Sequence, residues 1–285
     1  PAPRYHPPLI MPGDPAPTLA PLPLSVAIVC KNSAATIGRT LDAVRGLASE
    51  ILAVDSGSTD ATLDLLAAAG ARVIHSPWLG HVRTKQLALD ACTQPWILSL
   101  DSDESPQPDL LASIRHALPA APPDLHGFAL NRAVWYRGRP LRFAWQPEWR
   151  LRLVRRGSAR WGGLDPHDAL GLTTGRSARL PGTLRHDSFP TFRDHLAKQL
   201  AYARLSAEGM LREGRRPSLL RLALSPTGAM LKQLVLKQAW RDGYPGWLAA
   251  GTTAAGALMK HMILLELHLE QAPAAAPPRA PSPAP

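Results

Sequence analysis

Trp96-Ile97-Leu98-Ser99-Leu100-Asp101-Ser102-Asp103-Glu104 reads as a buried strand that stops in carboxylates. Four of its first five residues are apolar, the composition of a strand covered on both faces. Asp101 and Asp103 stand two positions apart, and in an extended segment that spacing turns both side chains to one side. Two hard oxygen donors so placed suit a divalent cation. The same letters also suit a plain Asp-Ser-Asp turn, because Asp and Ser satisfy turn geometry without any ligand. The neighbouring segments decide between the two.

Upstream, Leu24-Ser25-Val26-Ala27-Ile28-Val29-Cys30 is a second apolar run without polar alternation, and it stops at Lys31-Asn32. Ile37, Leu41, Val44 and Leu47 then recur at steps of three and four, the stripe of an amphipathic helix. Ile51-Leu52-Ala53-Val54 gives another buried strand, which ends at Asp55. Ser56-Gly57-Ser58-Thr59-Asp60 follows as a turn and N-cap for a helix over 60–69. Residues 72–75 read as a short strand and 84–92 as a helix. The alternation predicts an α/β fold with a mostly parallel open sheet, flanking helices and a ligand site beyond the carboxyl ends of the strands. That edge would gather Lys31, Asn32, Asp55 and Asp101. Neither the Gly-x-Gly-x-x-Gly fingerprint nor the phosphate-loop signature is present.

The chain has 285 residues, an apolar fraction of 45% and a net charge of +10, which excludes a wholly disordered protein and favours anionic partners. Residues 1–23 and 271–285 are rich in Pro and Ala and lack periodicity, so they are expected to be tails. The segment 24–190 is expected to hold the α/β domain, and 191–270 a helical C-terminal extension. Cys30 and Cys92 have no Cys-x-x-Cys or His-rich neighbours and read as reduced packing residues. With no secretory signal and no run of about 18 apolar residues, a cytoplasmic protein is expected.

Pro106 and Pro108 open a helix through Leu110, Leu111 and Ile114. Residues 128–161 interleave arginines with Trp135, Tyr136, Phe143, Trp145, Trp149 and Trp161, and 149–154 alternates like a strand with a basic face. The segments 191–213, 217–238 and 246–270 read as helices. The last two combine apolar faces with Arg221, Lys232, Lys237, Arg241 and Lys260, a composition shared by interfacial helices on anionic membranes and by the core helices of a small domain.

Lys31-Asn32, Val54-Asp55-Ser56-Gly57-Ser58-Thr59-Asp60 and Leu100-Asp101-Ser102-Asp103-Glu104 together resemble glycosyltransferase family 2, inverting enzymes with a GT-A fold. Within it, Gly80-His81-Val82-Arg83-Thr84-Lys85-Gln86, Arg152-Leu153-Val154-Arg155-Arg156, Pro166-His167-Asp168 and Arg241-Asp242-Gly243-Tyr244-Pro245-Gly246 look most like the bacterial lipopolysaccharide-core glucosyltransferases. The chain departs from that group at Gln86, where Asn is usual, and at Asp168, where Glu is more frequent.

The resemblance implies a nucleotide-sugar donor, UDP-glucose, a phosphorylated glycolipid acceptor and a Mg²⁺ or Mn²⁺ ion. Lys31, Asn32, Asp55, Ser56, Lys85, Asp101, Ser102, Arg152 and Arg155 would contact the donor. Asp103, Asp101 and His167 would hold the metal. An inverting transfer needs one carboxylate to take the acceptor proton, and two candidates stand open, Asp168 and Glu148. The alternative to Asp168 is a turn or cap residue, and the alternative to Glu148 is an ion pair with a nearby arginine. No nucleic-acid partner is implied, and the inner face of the cytoplasmic membrane is the expected place of work. Two readings remain beside this one: transfer to another lipid carrier or a polysaccharide, and a non-catalytic module that binds polyanions. The oligomeric state is left open.

Overall fold

The computed structural model describes residues 20–164 and 167–271. The tail expected over 1–23 lies outside the described residues up to 19, and that over 271–285 lies outside them from 272. Strands β1 (Leu22–Cys30), β2 (Ala48–Asp55), β3 (Arg72–His75) and β4 (Trp96–Asp101) alternate with helices α1 (Ala34–Val44), α2 (Thr62–Ala68) and α3 (His81–Ala91). Then come β5 (Glu104–Pro106), α4 (Pro108–Ala117), β6 (Leu125–Tyr136), β7 (Arg139–Pro140), β8 (Trp149–Arg155), β9 (Ala159–Leu164), β10 (His167–Leu172) and β11 (Arg176–His186). Helices α5 (Phe192–Arg212), α6 (Leu219–Leu231) and α7 (Tyr244–Glu270) complete the described chain.

Two compact units are present. One comprises residues to Leu130 with Arg150–Thr183, the other Asn131–Trp149 with the chain from Leu184. The segments 24–190 and 191–270 read from sequence are contiguous, whereas the units interleave along the chain. An apolar cluster explains the excursion, since Val134, Leu141 and Ala144 pack with Phe189, Ala239 and Ala249 of the helical part.

In the first unit the strand order is β3-β2-β1-β4-β8-β6-β11-β5. β2 and β4 flank β1, β3 flanks β2, and all three pairs are parallel, as the alternation requires. β8 joins β4 antiparallel. Residues of both parities are buried along the middle strands: Val26, Ala27 and Ile28 of β1, and Ile97, Leu98 and Leu100 of β4. That is the expected consequence of helices covering both faces. α1 lays Ile37, Leu41 and Val44 against the sheet, each contributing about 2 kcal/mol by area removed from water.

Sequence reading missed β5, β6, β7, β9, β10 and β11. β6 mixes Arg and Asn into its apolar positions, and β11 carries Pro181-Gly182 in its middle. Gly182 has φ +108°, and a Cβ there would stand 2.5 Å from the Cα of Leu110, so the strand passes α4 at a distance only glycine permits. β9 and β10 form a hairpin in which Asp168 faces Gly163 and Leu170 faces Trp161. Asp168, for which a turn or cap was the alternative reading, is therefore a strand residue. The paired glycines supply partner backbone and not a turn.

In the second unit α5 and α6 both pack on α7. Thr191 and Asp194 start α5 with a reciprocal capping box. Pro226 lies inside α6, which runs into a π-helical turn at Lys232–Leu236 and then a 3-10 turn at Ala239–Asp242. α7, with 27 residues and an 18-residue stretch of mean hydropathy 1.3, is long and apolar enough to cross a membrane by length and composition.

Candidate active site

Parallel register builds the site. Val29 of β1 pairs with Asp101 on one side and Val54 on the other, and Cys30 pairs with Asp55, so both carboxylates leave the sheet at the same edge. The loop after β2 folds on Asp55, which is 1% exposed. Its Oδ2 accepts from the Gly57 N–H at 3.0 Å and the Ser58 N–H at 3.1 Å, and its Oδ1 accepts from the Ser58 hydroxyl. The Cys30 thiol and His75 approach the same carboxylate. Burial would raise the Asp55 carboxyl, but the Ser58 hydroxyl, the two backbone donors and His75 together hold it below the usual range. Gly57, at φ +87°, makes this tight turn possible. Burial, then the Asp55 charge, pushes the Cys30 thiol up to about 12, so it stays protonated as a packing residue.

Asn32 ties this loop to β1. At φ +49°, a conformation Asn tolerates, it accepts the Thr59 N–H at 2.8 Å, and its own N–H donates to Ser58 Oγ at 2.9 Å. Lys31 is exposed beside it. Ser102 donates to Ser33 Oγ at 2.9 Å, which links the end of β4 to the start of α1. Ser56 Oγ is buried and has no hydrogen-bond partner among the described residues, an arrangement that points to a ligand or water.

The centre is a chain of charges. Lys85 Nζ, on α3, lies 2.7 Å from Asp101 Oδ1 and 2.8 Å from Asp168 Oδ2. Arg152 Nη2, on β8, lies 3.0 Å from Asp101 Oδ2 and 2.8 Å from Glu104 Oε1. Both cations sit over the Trp161 ring, at 4.7 and 5.3 Å from its centroid, where the π face adds attraction. The Trp161 backbone N–H donates to Gln86 Oε1 at 2.8 Å, which fixes the hairpin against α3. Lys85, Arg152 and Glu104 are nearly inaccessible to water, so these pairs are screened little.

Sequence reasoning missed Glu104 and Trp161. Glu104 is fully buried and accepts both the Asp101 N–H and Arg152. Its signal in the sequence is an acid just beyond Asp-x-Asp, at the end of the motif. Trp161 had no local signal, because only the fold brings it under Lys85.

Three further expected members are Arg155, Glu148 and His167. Arg155 lies three residues from Arg152, and an odd step on a strand puts it on the opposite face. It stacks over Trp96 at 4.6 Å and donates to the carbonyls of Leu125, Ala121 and Pro122. Glu148 belongs to the second unit and makes a two-pronged ion pair with Arg132, Oε2 to Nε at 3.0 Å and Oε1 to Nη2 at 2.7 Å. The side chain of His167 lies outside what is described.

For a divalent cation, the described residues offer hard oxygen donors at Asp101 and Asp103, but no group of three His, Cys, Asp or Glu poised to hold it. Both Asp101 oxygens already meet cations. The donor set therefore does not make a closed protein cage. It fits only an ion whose other ligands are phosphate oxygens and water, the usual manner for Mg²⁺.

Three comparisons find known proteins to which the chain is similar. A model of glycosyl transferase family 2 matches residues 25–166. The chain is 31% identical over 267 residues to the lipopolysaccharide core biosynthesis glycosyltransferase LpsC of Rhizobium meliloti, covering 87% of this chain and 93% of the relative. It is 26% identical over 258 residues to an uncharacterized glycosyltransferase of Rickettsia prowazekii, covering 87% and 88%. Among solved structures, it is similar to glucosyl-3-phosphoglycerate synthase from Mycobacterium tuberculosis in complex with Mn²⁺, uridine-diphosphate and glucosyl-3-phosphoglycerate. That match has a TM-score of 0.40 at 22% identity and covers 68% of this chain and 81% of that one. The chain is a glycosyltransferase and belongs to glycosyl transferase family 2.

Proposed function

We propose that the chain moves glucose from UDP-glucose to a lipopolysaccharide-core or related phosphorylated glycolipid, with inversion, at the inner face of the cytoplasmic membrane. The observation that carries the reading is the Lys85 ammonium held between Asp101 and Asp168 at the strand ends. In the proposed reaction Asp168 takes the proton of an acceptor hydroxyl. That oxygen forms a bond to C1 of the sugar as the bond from C1 to the diphosphate oxygen breaks, and the electron pair leaves with UDP. Lys85 and Arg152 place two positive charges next to Asp101 in a water-poor site, where they favour an incoming diphosphate. Asp55 acts on the nucleoside through the loop it shapes, with Asn32, Lys31 and Ser102 bracing the neighbouring strand ends. Ser56 offers its hydroxyl to the nucleotide. A divalent ion arriving with the donor would rest on Asp103 and Asp101 and would neutralise the leaving diphosphate.

Support for the acceptor class comes from the name of the Rhizobium meliloti relative, and support for Asp168 over Glu148 from the Arg132 pair that engages both Glu148 oxygens. Thermal unfolding with UDP, UDP-glucose and other nucleotides, each with and without Mn²⁺, tests the donor, because a ligand of the folded state raises stability by mass action. A shift with UDP that grows with Mn²⁺ is expected. No shift with any nucleotide would overturn the reading.

A further inference from the structure

The second unit carries a cleft that the transfer chemistry leaves unused. It encloses about 520 Å³ and is lined by Asn131, Arg142, Phe143, Gln146, Lys237 and Arg241 among others. Asp242 fixes its walls by accepting from the backbone N–H groups of Arg142 at 2.8 Å, Phe143 at 2.9 Å and Ala144 at 2.8 Å. That carboxylate is thereby turned to the backbone. Arg241 lies 4.2 Å over the Phe143 ring and donates to Gln238 Oε1 at 2.8 Å. Among the described residues none of Arg142, Lys237 and Arg241 has a carboxylate partner. Three like charges around one concavity repel, and an anion in it would relieve them.

The surface beside the cleft is apolar. Leu231, Val235, Leu236, Trp240, Tyr244 and Trp247 are 52–74% exposed, on the end of α6, the two turns that follow it and the start of α7. Large exposed apolar side chains, tryptophan and tyrosine among them, beside lysine and arginine suit the head-group layer of a membrane, where rings sit among head groups and cations meet phosphates. A soluble phosphate would leave the apolar rim without a use. A second copy of this chain would bring three more positive charges to the same place.

We propose that the cleft receives the phosphate head group of an anionic phospholipid while Leu231, Val235, Leu236 and Trp240 enter the acyl boundary, so that the second unit docks on an anionic bilayer. This deepens the membrane-face reading above by naming its ligand and residues. Its test uses no sugar transfer, so it can fail while the catalytic reading stands, and the reverse.

The test is flotation of the full chain with vesicles of phosphatidylcholine alone and with added phosphatidylglycerol. The wild type is expected to bind the anionic vesicles about a hundredfold more tightly, at roughly a factor of five per cation. Arg142→Gln/Lys237→Gln/Arg241→Gln is expected to lose that preference with unchanged circular dichroism, because Arg142 and Arg241 are exposed and Lys237 is only partly buried. Leu236→Ser/Trp240→Ser is expected to weaken binding to both vesicle types. Equal binding of the wild type to both types, or wild-type binding by the triple variant, would overturn the proposal. So would retention on vesicles in high salt and alkali, which would mean that α7 inserts across the bilayer. Stabilisation by glycerol phosphate without vesicle binding would reassign the cleft to a soluble phosphate, and self-association abolished by Leu236→Ser/Trp240→Ser without vesicle binding would reassign the rim to a second copy.

Discussion

Asp168 on β10 lies 2.8 Å from the ammonium of Lys85 on α3, 83 positions earlier in the chain. The pair brings a carboxylate from the β9–β10 hairpin to the strand-end cluster, since the same ammonium holds Asp101 at 2.7 Å. Glu148, the other candidate base, is tied to Arg132 in the second unit.

Asp168→Asn should lower kcat about a thousandfold, within the range for loss of a general base, while the KM for UDP-glucose changes little. Glu148→Gln should keep kcat within about tenfold and lower stability by roughly 1 kcal/mol, the worth of a half-exposed Arg pair. Steady-state kinetics and urea melts on both variants check this. The opposite pattern would move the base to Glu148.

Lys85→Gln should destabilise the protein by about 3 kcal/mol, because it leaves Asp101 and Asp168 without their shared, nearly buried cation. Lys85→Gln/Asp101→Asn should be less damaging than the sum of the single changes by about 1 kcal/mol or more. Urea unfolding of the cycle measures the coupling, and additivity would mean that the pair carries no interaction.

Ser56→Ala removes a buried hydroxyl that lacks a partner among the described residues. The unliganded protein should be as stable as the wild type or up to about 1 kcal/mol more stable. UDP affinity by calorimetry should fall about fivefold, as loss of a ligand hydrogen bond requires. Unchanged affinity would remove Ser56 from the site.

Glu50 gives the first unit an acid limit. Burial would raise its carboxyl, but the Ser25 hydroxyl, the Thr93 N–H and hydroxyl, and Arg72 hold it at about 2. Its folded value is depressed below the ordinary 4.5, so its stabilisation is complete above that pH and is lost as pH falls through about 2. Glu50→Gln should cost about 2 kcal/mol at pH 7, and the deficit should shrink below pH 4.5, as read by guanidinium melts across pH.

His195 acts earlier, in the second unit. Burial first, then the Lys198 charge, lowers its imidazole to about 4, and its Nε2 lies 3.1 Å from Thr252 Oγ1. The unfolded chain binds this proton from pH 6.5 downward and the folded chain only near 4, so stability falls as pH drops through that window. The loss should reach about 3 kcal/mol at 1.36 kcal/mol per pH unit. His195→Gln should flatten melting temperature between pH 6.5 and 4. A slope equal to that of the wild type would assign the acid loss to another group.

Much of the sheet was legible because buried parallel strands write themselves as unbroken apolar runs, and β1, β2 and β4 each end in the polar residues that mark the site edge. β6 and β11 were hidden because their burial is interrupted by Arg, Asn, Pro and Gly, which the surrounding sheet tolerates through Gly182 and one-sided packing. Arg155 was grouped with Arg152 because the letters Arg-Leu-Val-Arg conceal which face each occupies, a question settled by strand parity.

The sequence by itself determined the α/β class and the edge shared by Asp55 and Asp101, because strand periodicity and turn chemistry act over a few neighbouring residues, and its strand-end motifs carried the family resemblance. Only the tertiary structure decided that Lys85 bridges Asp101 and Asp168, that Glu104 is buried behind Arg152, and that Trp161 lies beneath both cations. Those contacts join α3, β4, β5, β8 and the β9–β10 hairpin, elements drawn from distant parts of the chain. Their meeting is set by strand order and register, which no local pattern of residues encodes.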